Sequence, residues 1–453
     1  MRLWDALRPH PALCLAFTGG GGKTTALFRA GREYLAGAAG PALLTTTTHL
    51  ALEQAGRADA HLILETPAAL EAWIDSQTAG LPGQVLLFTG PAIDDGRLSG
   101  LSFAALEQLR RLAADRGLPL LIEADGSRCR PLKAPADHEP AVPDGVDAVV
   151  VLAGLSGLGQ PLSAENVHRP ERFATLAGIH QGDLVTPQAL ERVLAHPQGG
   201  LQGLPPGARR IALLNQADTP ELQALGSALA KRLLGPYAAG MVASLQTSGV
   251  HVVHERLAGI VLAGGGSARM GQPKQVLAWR GRPLVWHAAR AALLSGLDPV
   301  VVVTGHAAGQ VQAALQGLPV QFAHNPAWEA GQSASVIAGL QALPPDCGGA
   351  LFLLADQPQV SPELIRALAE AHAADLAPLT APLVDGRRAN PVLFDRVTFP
   401  DLLALTGDTG GRALFSRYRV AWVPWLDSQA ALDVDTPEDY RRLVERDGPG
   451  APQ

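Results

Sequence analysis

Short apolar runs rich in Val, Ile and Leu alternate with longer segments of helical pattern along the whole chain. Nearly continuous runs of this kind are typical of strands that are covered on both faces. Their alternation with helices predicts an α/β architecture with mostly parallel sheets, in which ligands gather at the carboxyl ends of the strands. The runs that we expect to form strands are ALCLAF, PALLTTT, HLILE, QVLLFTG, PLLIEAD, DAVVVLAG and RRIALLN in the first half, and LAGIVLAG, PVVVVTG, PVQFAHN, GALFLLAD and LTAPLVDG in the second.

The chain of 453 residues is too long for one ordinary domain. A strand followed directly by a glycine-rich loop occurs twice, in TGGGGKTT and in LAGGGSARMGQPK. The pattern restarts near residues 250 to 257 without a long linker. We therefore predict two Rossmann-like domains, residues 1–253 and residues 257–453, with a nucleotide-binding loop in each.

Composition excludes several classes of partner. A net charge of −6 gives no reason to expect a nucleic acid or an anionic membrane surface. Three scattered cysteines offer neither a disulfide framework nor zinc-ligand spacing, and they fit a reducing cytoplasm. No apolar run reaches about 18 residues, and the first residues do not have the pattern of a signal peptide. We expect a cytoplasmic protein without a transmembrane helix.

The first glycine-rich loop, FTGGGGKTT, has Phe17 where the usual phosphate-binding pattern G-x-x-x-x-G-K-[ST] has its first glycine. The compact pattern G-G-x-G-K-[ST]-T fits if Phe17 ends the strand. Glycines let backbone N–H groups converge on an anion, and the following helix adds its positive end. We expect Lys23 to reach the β- and γ-phosphates and Thr24 to hold Mg²⁺. The predicted nucleotide-binding residues are Gly19, Gly20, Gly22, Lys23, Thr24 and Thr25; the alternative is a plain glycine turn.

A carboxylate follows another strand of the first half, in LLIEADGSRCRPLKAPADHEP. Asp125 stands where a carboxylate would hold Mg²⁺ through water, and Glu123 lies on the same face of the strand. Arg128, Arg130 and Lys133 follow in a cationic loop that suits an anionic substrate. The alternative is an acid at a strand end followed by a solvated basic loop.

Two weaker signals also follow strands. Asn215 and Asp218 match N-[KQ]-x-D, with which many GTPases read guanine through the carboxylate. A match of four residues is short, and an ordinary loop is the alternative. The run TTTTHL, residues 45–50, offers hydroxyls and an imidazole to a phosphate or a metal, or is simply strand.

The first half resembles the accessory proteins linked to selenium-dependent molybdenum hydroxylases, over roughly residues 1 to 250. The segments TGGGGKTT, TTTTHL, EADGSRCRPLKAPADHEP and LAGLSGLGQPLSAENVHRPERF carry the resemblance. It implies a P-loop-type maturation factor that binds ATP or GTP with Mg²⁺, and it does not define the reaction.

The second glycine-rich loop reads L-A-G-G-x-S-x-R-M-G-x-x-K. In nucleotidyl transfer a nucleophile attacks the α-phosphate and pyrophosphate leaves, so that catalysis depends on positioning and on stabilising negative charge. We expect Arg269 and Lys274 to be catalytic groups that neutralise the phosphates. The residues expected to contact the nucleotide are Leu262, Ala263, Gly264, Gly265 and Ser267.

Carboxylates at strand ends are the expected metal ligands of the second half. Asp356 ends GALFLLAD, and Asp435 precedes a helix in ALDVDTPEDY, where a structural cap is the alternative role. Gly305, Asn325 and Ser333 follow strands and are expected to contact the nucleotide, with loop packing as the alternative. The segments GDTGGRALF and RRANPVLF look like loops on the acceptor side.

The second half resembles the molybdenum cofactor cytidylyltransferases and their guanylyltransferase relatives, over about residues 257 to 445. RMGQPKQVL, TGH, NPAWEAGQSASV, LLADQP, NPVLF, GDTGGR and DVDTP match in order. The resemblance implies a fold like that of nucleotide-diphospho-sugar transferases, transfer of CMP to molybdopterin with release of pyrophosphate, and Mg²⁺ held by Asp356 and Asp435. The form LAGG is the one that we associate with GTP-using relatives, so CTP and GTP both remain open.

We hypothesise a bifunctional maturation protein for molybdenum hydroxylases of the xanthine dehydrogenase type. Its second domain would join CMP to Mo-molybdopterin, and its first domain would use ATP or GTP in a further step, such as selenium or sulfur insertion or cofactor delivery. One alternative is a guanylyltransferase or a sugar-phosphate nucleotidyltransferase. Another is a nucleotide-switched scaffold that delivers the cofactor to the hydroxylase apoprotein.

Overall fold

The structure is a computed structural model that describes residues 1–10, 13–37, 40–64, 69, 73, 83–93, 96–267 and 270–446. The chain forms two compact units, Met1–His254 and Glu255–Gln453. None of the described helices is long and apolar enough to cross a membrane. The two units are described in turn.

The first unit alternates strands and helices. Its strands are β1 Cys14–Gly19, β2 Ala42–Thr46, β3 His49–Ala51, β4 Ala60–Ile63, β5 Val85–Thr89, β6 Ala92–Ile93, β7 Arg97–Ser99, β8 Leu120–Glu123, β9 Leu132–Lys133, β10 Ala148–Gly154, β11 Val167–His168, β12 Arg209–Asn215, β13 Ala239–Ser244 and β14 Gly249–Glu255. Its described helices are α1 Leu3–Ala6, α2 Lys23–Leu35, α3 Leu52–Ala55, α4 Phe103–Arg116, α5 Pro170–Ala177, α6 Pro187–Ala195 and α7 Pro220–Arg232.

Nine of the described strands form the main sheet of the first unit, in the order β14-β13-β12-β10-β1-β8-β2-β5-β4. From β4 through β13 every neighbouring pair is parallel. β2, β5, β8 and β10 are buried at every position, as expected for strands covered on both faces. After β1 the chain continues to β2 on one side, and after β8 it crosses to β10 on the other. The crevice beside the end of β1 is therefore a switch point, where such sheets bind ligands.

Two small sheets lie outside this main sheet. β9 pairs in parallel with β11, so that Lys133 stands opposite His168. The other joins β3, β7 and β6 in antiparallel pairs. These short pairings connect segments that are distant in the chain, and they place the residues after β2, β8 and β10 around the end of β1.

The second unit has a mixed sheet. Its strands are β15 Leu257–Ala263, β16 Ala278–Trp279, β17 Arg282–Pro283, β18 Val300–Thr304, β19 Gln321–His324, β20 Gly349–Leu354, β21 Leu379–Val384, β22 Arg387–Arg388, β23 Val392–Asp395 and β24 Val420–Trp425. Its described helices are α8 Leu284–Leu294, α9 Ala308–Ala314, α10 Gln332–Gln341, α11 Pro362–Asp375, α12 Phe399–Leu403 and α13 Pro437–Arg446.

The described part of this second main sheet runs β19-β18-β15-β20-β23-β21-β22, and β24 pairs with β21. β19, β18, β15 and β20 are parallel, whereas β23 runs antiparallel to both of its neighbours. The carboxyl ends of β15, β18 and β20 therefore meet at one edge, where the second glycine-rich loop begins. The segment RRANPVLF, expected to be an acceptor-side loop, contributes the strand β23.

Candidate functional sites

The loop between β1 and α2 needs glycine for steric reasons. Gly19 and Gly21 have φ angles of +94° and +79°, a region that other L-residues rarely adopt. A Cβ atom at Gly19 would lie 2.2 Å from the Leu152 carbonyl oxygen, and one at Gly21 would lie 2.3 Å from the Gly154 nitrogen. The loop thus packs directly against the end of β10, and it carries the chain into α2 at Lys23.

Some N–H groups of this loop donate to backbone carbonyls, whereas those at the start of α2 are uncapped. Gly20 N donates to Leu152 O (2.9 Å) and Gly21 N donates to Arg130 O (3.0 Å), so these amides hold the loop in place. The first N–H groups of α2 have no acceptor within the helix, and no side chain caps them. Residues 21–25 line a cleft of about 950 Å³. The uncapped start of α2 thus faces the cleft and can receive an anion.

Lys23 is folded back under the loop. Its ammonium donates to Gly19 O (2.6 Å) and lies 3.3 Å from Asp125 Oδ1. The side chain is 2% exposed, although Lys23 also lines the cleft. In this conformation the ammonium stabilises the loop, and reaching a phosphate requires it to turn toward the cleft.

Asp125, which we expected to hold magnesium, is surrounded by nitrogen donors. Its carboxylate accepts from Gly19 N (3.0 and 3.1 Å) and from Lys133 Nζ (2.6 Å), besides its contact with Lys23. The side chain is 2% exposed and does not line the cleft. Both oxygens are therefore engaged, and the carboxylate acts here as the anchor of the glycine loop.

Glu123 is the carboxylate that reaches the cleft beside Thr24. Thr24 Oγ1 donates to Glu123 Oε2 at 2.8 Å, and both residues line the cleft. Burial raises the pKa of Glu123, an effect that the positive charge of Lys23 opposes. Hydroxyl and carboxylate oxygens are suitable ligands for Mg²⁺. Among the residues that the structure describes, no three His, Cys, Asp or Glu side chains cluster as a metal site.

Lys133 is a buried cation that contacts both Asp125 and Glu139, and Glu139 lines the cleft. Its ammonium contacts Glu139 Oε2 (2.7 Å) as well as Asp125, and Arg169 contacts both oxygens of Glu139 (2.8 and 3.0 Å). Burial opposes the charge of Glu139, but Arg169 and Lys133 outweigh it and lower the pKa of this carboxyl to about 2. Positive and negative groups thus alternate from Lys23 to Arg169.

The cleft gathers the motifs that the sequence singled out. Thr47, Thr48 and His49 of the threonine run line it, whereas Thr45 Oγ1 donates to Phe88 O (2.8 Å) and Thr46 Oγ1 to Glu123 O (3.0 Å). The other polar side chains of the lining are Lys23, Thr24, Thr25, Gln54, Arg57, Arg97, Glu123, Ser127, Arg128, Cys129, His138, Glu139, His168, Arg169, Gln216 and Gln246. Sequence reasoning had not assigned a role to Gln54 or Gln246, because no pattern marks an isolated glutamine, whereas Gln216 stands at the second position of N-[KQ]-x-D.

Asn215 supports the glycine loop from below. Its Nδ2 donates to Gly21 O (2.7 Å), its Oδ1 accepts from Leu245 N (3.0 Å), and the residue is buried. Asp218 is exposed and does not line the cleft, whereas Gln216 does. The Asn215 amide, which we expected to contact the nucleotide, is thus already bonded to the backbone through both its nitrogen and its oxygen.

The second glycine-rich loop is organised by a buried glutamine. Gln275 Nε2 donates to Gly265 O (2.7 Å), and Ser267 Oγ accepts from Lys274 N (3.0 Å). Arg269, the other predicted catalytic cation, lies outside the described residues. No helix starts directly after this loop; a short 3-10 turn, Lys274–Val276, comes next. Sequence reasoning missed Gln275, although it stands inside the matching segment GQPKQ.

Lys274, Asp356 and Asp435 come together at the carboxyl end of the second sheet. The ammonium donates to Asp356 Oδ2 and to Asp435 Oδ1, the latter at 2.7 Å. Burial lowers the pKa of Lys274, but the two carboxylates outweigh it, so the pKa is raised. Beside them, burial and the charge of Asp356 raise the pKa of Asp433. The helix cap expected as an alternative for Asp435 is made by Thr436, whose Oγ1 accepts from Asp439 N (3.2 Å).

The remaining predicted nucleotide contacts pack around this loop. Gly305 lies so close to Gly264 that a Cβ atom would be 2.4 Å from the Gly264 carbonyl oxygen. Asn325 Nδ2 donates to Ser335 Oγ (3.0 Å), and Ser333 Oγ donates to Gly407 O (2.7 Å). Ala263 is buried at the end of β15. In this conformation the polar groups of Asn325 and Ser333 hold loops together.

A separate pocket of about 170 Å³ lies on the antiparallel side of the second unit. Leu262, from the end of β15, lines it together with apolar residues of β20 and β23. The segments expected on the acceptor side contribute Arg388, Asn390, Gly410, Gly411 and Arg412. Two guanidinium groups at an apolar pocket can bind an anionic ring compound.

Two family models match the chain. Residues 15–171 match the family described as YqeC protein, and residues 259–422 match the MobA-like NTP transferase domain. The chain is 35% identical over 207 residues to the uncharacterized protein YqeC of Escherichia coli strain K12. This alignment covers 45% of this chain and 75% of that protein.

Two further relatives are similar over almost their whole length. The chain is 33% identical over 201 residues to nicotine blue oxidoreductase of Paenarthrobacter nicotinovorans. This alignment covers 41% of this chain and 95% of the relative. It is 35% identical over 201 residues to purine catabolism protein PucB of Bacillus subtilis strain 168. This alignment covers 41% of this chain and 94% of the relative.

Proposed function

Because this chain belongs to the YqeC protein family in its first unit and to the MobA-like NTP transferase family in its second, we propose that it is a maturation protein for a molybdenum hydroxylase. The second unit transfers CMP from CTP to Mo-molybdopterin and releases pyrophosphate. GTP is the alternative nucleotide, and a sugar phosphate is the alternative acceptor.

The observation that carries this proposal is the meeting of Lys274, Asp356 and Asp435 at the end of parallel strands. An oxygen of the acceptor phosphate attacks the α-phosphorus of the nucleotide, and the bond from that phosphorus to the bridging oxygen of pyrophosphate breaks. Lys274 stabilises the negative charge that develops on the leaving group. Asp356 and Asp435 are the residues that would hold Mg²⁺, which supplies further charge neutralisation when bound.

Donor chemistry supports this metal assignment. Two carboxylates converge on a single ammonium, so the site already holds one positive charge between two acidic oxygens. Carboxylate oxygens are the ligands that Mg²⁺ prefers. If these carboxylates held Mg²⁺, the Lys274 ammonium would be free to contact the phosphates.

The first unit binds ATP or GTP at the glycine loop. The start of α2 receives the phosphates, Lys23 turns from Gly19 toward them, and Thr24 with Glu123 would hold Mg²⁺. Asp125 keeps the loop in place, and Gln216 is the side chain of the predicted base-reading segment that lines the cleft. The relative named for purine catabolism supports a hydroxylase of the xanthine dehydrogenase type as partner, because xanthine is a purine.

Pyrophosphate release by the full chain with Mo-molybdopterin and each nucleoside triphosphate tests the transfer reaction. We expect release with CTP, and a fall of at least about 100-fold in kcat/KM for Lys274→Ala, because a charged transition-state contact is lost. Lys231→Ala, which removes a lysine of the first unit, is the charge-matched control and leaves the rate unchanged. Absence of pyrophosphate with both CTP and GTP would rule the transfer out.

A second candidate of another class comes from one observation, namely that a relative covered over 95% of its length is named as an oxidoreductase. In this candidate the second unit holds a nucleotide-bearing cofactor for delivery and transfers no nucleotidyl group. The same assay separates the two, since such a scaffold binds CTP or GTP without releasing pyrophosphate.

A further inference from the structure

One wall of the cleft in the first unit carries cations that the glycine loop does not use. The segment 126–133 lies against that loop, because Gly21 N donates to Arg130 O. β9, at the end of this segment, pairs with β11 and so brings residues 168 and 169 to the same place. Arg128, His168 and Arg169 all line the cleft. Two segments that are distant in sequence therefore present three basic side chains together.

Positive charge exceeds negative charge in this cleft. Its lining includes five lysine and arginine side chains and two carboxylates, namely Lys23, Arg57, Arg97, Arg128 and Arg169 against Glu123 and Glu139. Glu139 is shared between Arg169 and the buried Lys133, so it does not fully neutralise either. The Arg128 guanidinium makes no hydrogen bond or ion pair with any residue that the structure describes. An anionic ligand would supply the missing charge.

The same positive charges affect the pKa of His168. Burial lowers its pKa, and the charges of Arg169, Lys133 and Arg128 lower it further, to about 4, against the opposing effect of Glu139. The imidazole is therefore neutral near pH 7 and can donate one hydrogen bond to a ligand. An anion bound beside it would favour the protonated form.

We propose that Arg128, His168 and Arg169 form a second anion-binding subsite in the first unit, which takes the phosphate or diphosphate group of a second small-molecule substrate. The cleft has a volume of about 950 Å³, near the upper end of the roughly 300–1,000 Å³ that small-molecule pockets have. The inference deepens the proposed role of the first unit and rests on it only in assigning the nucleotide to the glycine loop.

The test uses the full chain carrying Lys274→Ala, which weakens pyrophosphate binding at the site proposed in the second unit, with the glycine loop saturated by Mg²⁺ and the imido analogue of ATP or GTP, and inorganic pyrophosphate as the probe. Calorimetric titration at constant low ionic strength is expected to detect pyrophosphate binding to the loaded protein. Arg128→Ala is expected to weaken it about tenfold, because a charge-assisted contact is lost. Arg130→Ala is the matched control, since it removes the same charge from the same segment at a side chain that does not line the cleft; less than about a twofold change is expected because the long-range effect is screened.

A second measurement follows the His168 ring by NMR in histidine-labelled protein, with His168→Asn to assign its signal. Pyrophosphate is expected to move the pKa of His168 upward from about 4, and Arg128→Ala to reduce that movement while Arg130→Ala does not. Failure of pyrophosphate to bind the loaded chain, or equal weakening by both arginine variants, would refute the subsite. If neither analogue binds, the proposed nucleotide role fails by itself, and the His168 titration of the unloaded chain still decides whether the subsite exists.

Discussion

Asp125 is held among three nitrogen donors in the interior of the first unit, and this changes the role that its position in the sequence predicted. Its contacts with Lys23, Lys133 and Gly19 N leave neither oxygen facing the cleft. A buried ion pair adds little stability over apolar packing, but removing one partner is costly, since the other charge stays buried. Asp125 therefore matters most as the common counterion of two buried lysines.

We predict that Asp125→Asn destabilises the first unit by roughly 3–5 kcal/mol, because two buried ammonium groups lose their shared carboxylate. Hydrogen exchange followed by mass spectrometry measures the change in the peptides that contain β1, α2 and β8. The control is Asp137→Asn, which breaks an ion pair with Arg172 in which the aspartate is 90% exposed. That pair is expected to contribute no more than about 1 kcal/mol. Equal exchange in the two variants would contradict the anchoring role of Asp125.

A substitution of Asn215 can distinguish two roles of this side chain, namely support of the glycine loop and recognition of guanine. We predict that Asn215→Ala weakens ATP and GTP binding by the same factor, because the lost bonds to Gly21 O and Leu245 N loosen the glycine loop whatever the base. Equilibrium binding of the labelled nucleotides to the full chain measures both constants. Selective loss of GTP binding would instead favour the guanine-reading role that the sequence predicts.

At the scale of elements, the two glycine-rich loops lead into different kinds of secondary structure. The first ends at the uncapped start of α2, where we propose that the terminal phosphates bind. The second leads into a 3-10 turn, and α8 begins only at Leu284. The charged groups beside the second loop are side chains instead of a helix end, namely the Lys274 ammonium and the carboxylates of Asp356 and Asp435. This difference agrees with phosphate holding in the first unit and attack at an α-phosphate in the second.

We predict that the first unit is sensitive to acid, because His168 is partly buried where β9 pairs with β11. His168 has a pKa of about 4 when folded and an ordinary value of 6.5 when unfolded, with Arg169, Lys133, Arg128 and Glu139 as its charged neighbours. The unfolded state binds more protons between these values, so stability is fully present above pH 6.5 and falls as the pH drops toward 4. Urea unfolding across this range measures the loss, and His168→Asn is expected to make the dependence less steep. An unchanged dependence would show that His168 does not cause it.

For the whole molecule, each unit has its own hydrophobic core. Among the described residues, a large buried apolar cluster of the first unit includes residues from Cys14 to Val242, and two clusters of the second unit each include residues of β15 and β20. The residues that line the cleft beside the first glycine loop belong to the first unit, and Lys274, Asp356 and Asp435 belong to the second. Two local sites of this kind are expected to fail separately when mutated.

We predict that Lys23→Ala abolishes ATP or GTP binding at the glycine loop without lowering pyrophosphate release by the second unit. Lys274→Ala is expected to do the reverse, because Lys23 contacts Gly19 O and Asp125 in the first unit, and Lys274 contacts Asp356 and Asp435 in the second. Nucleotide binding and pyrophosphate release, measured on the same preparations of the full chain, check both variants. If either substitution impaired both activities, the two units would have to be treated as one coupled enzyme.

The amino-acid sequence by itself determined the α/β architecture, the two glycine-rich loops and the family of each half. These features depend on local patterns, since every apolar run that we expected to form a strand contains one. The meeting of Lys274 with Asp356 and Asp435 also agrees with the motifs, although it joins residues that are far apart in the chain. The antiparallel course of β23 could not be read from its short apolar run, because strand direction depends on which neighbour the strand pairs with.

Only the tertiary structure decided which polar groups face the clefts. Glu123 ends β8 and Asp125 lies two residues beyond it, yet two lysines and a backbone amide enclose Asp125 while Glu123 reaches Thr24. Asn215 meets Gly21, which is 194 residues away in the chain. A buried polar group must find its partners wherever the fold places them, and those partners come from other strands and loops. The residue types therefore predicted the chemistry of the sites, and the packing of distant segments assigned each residue its role.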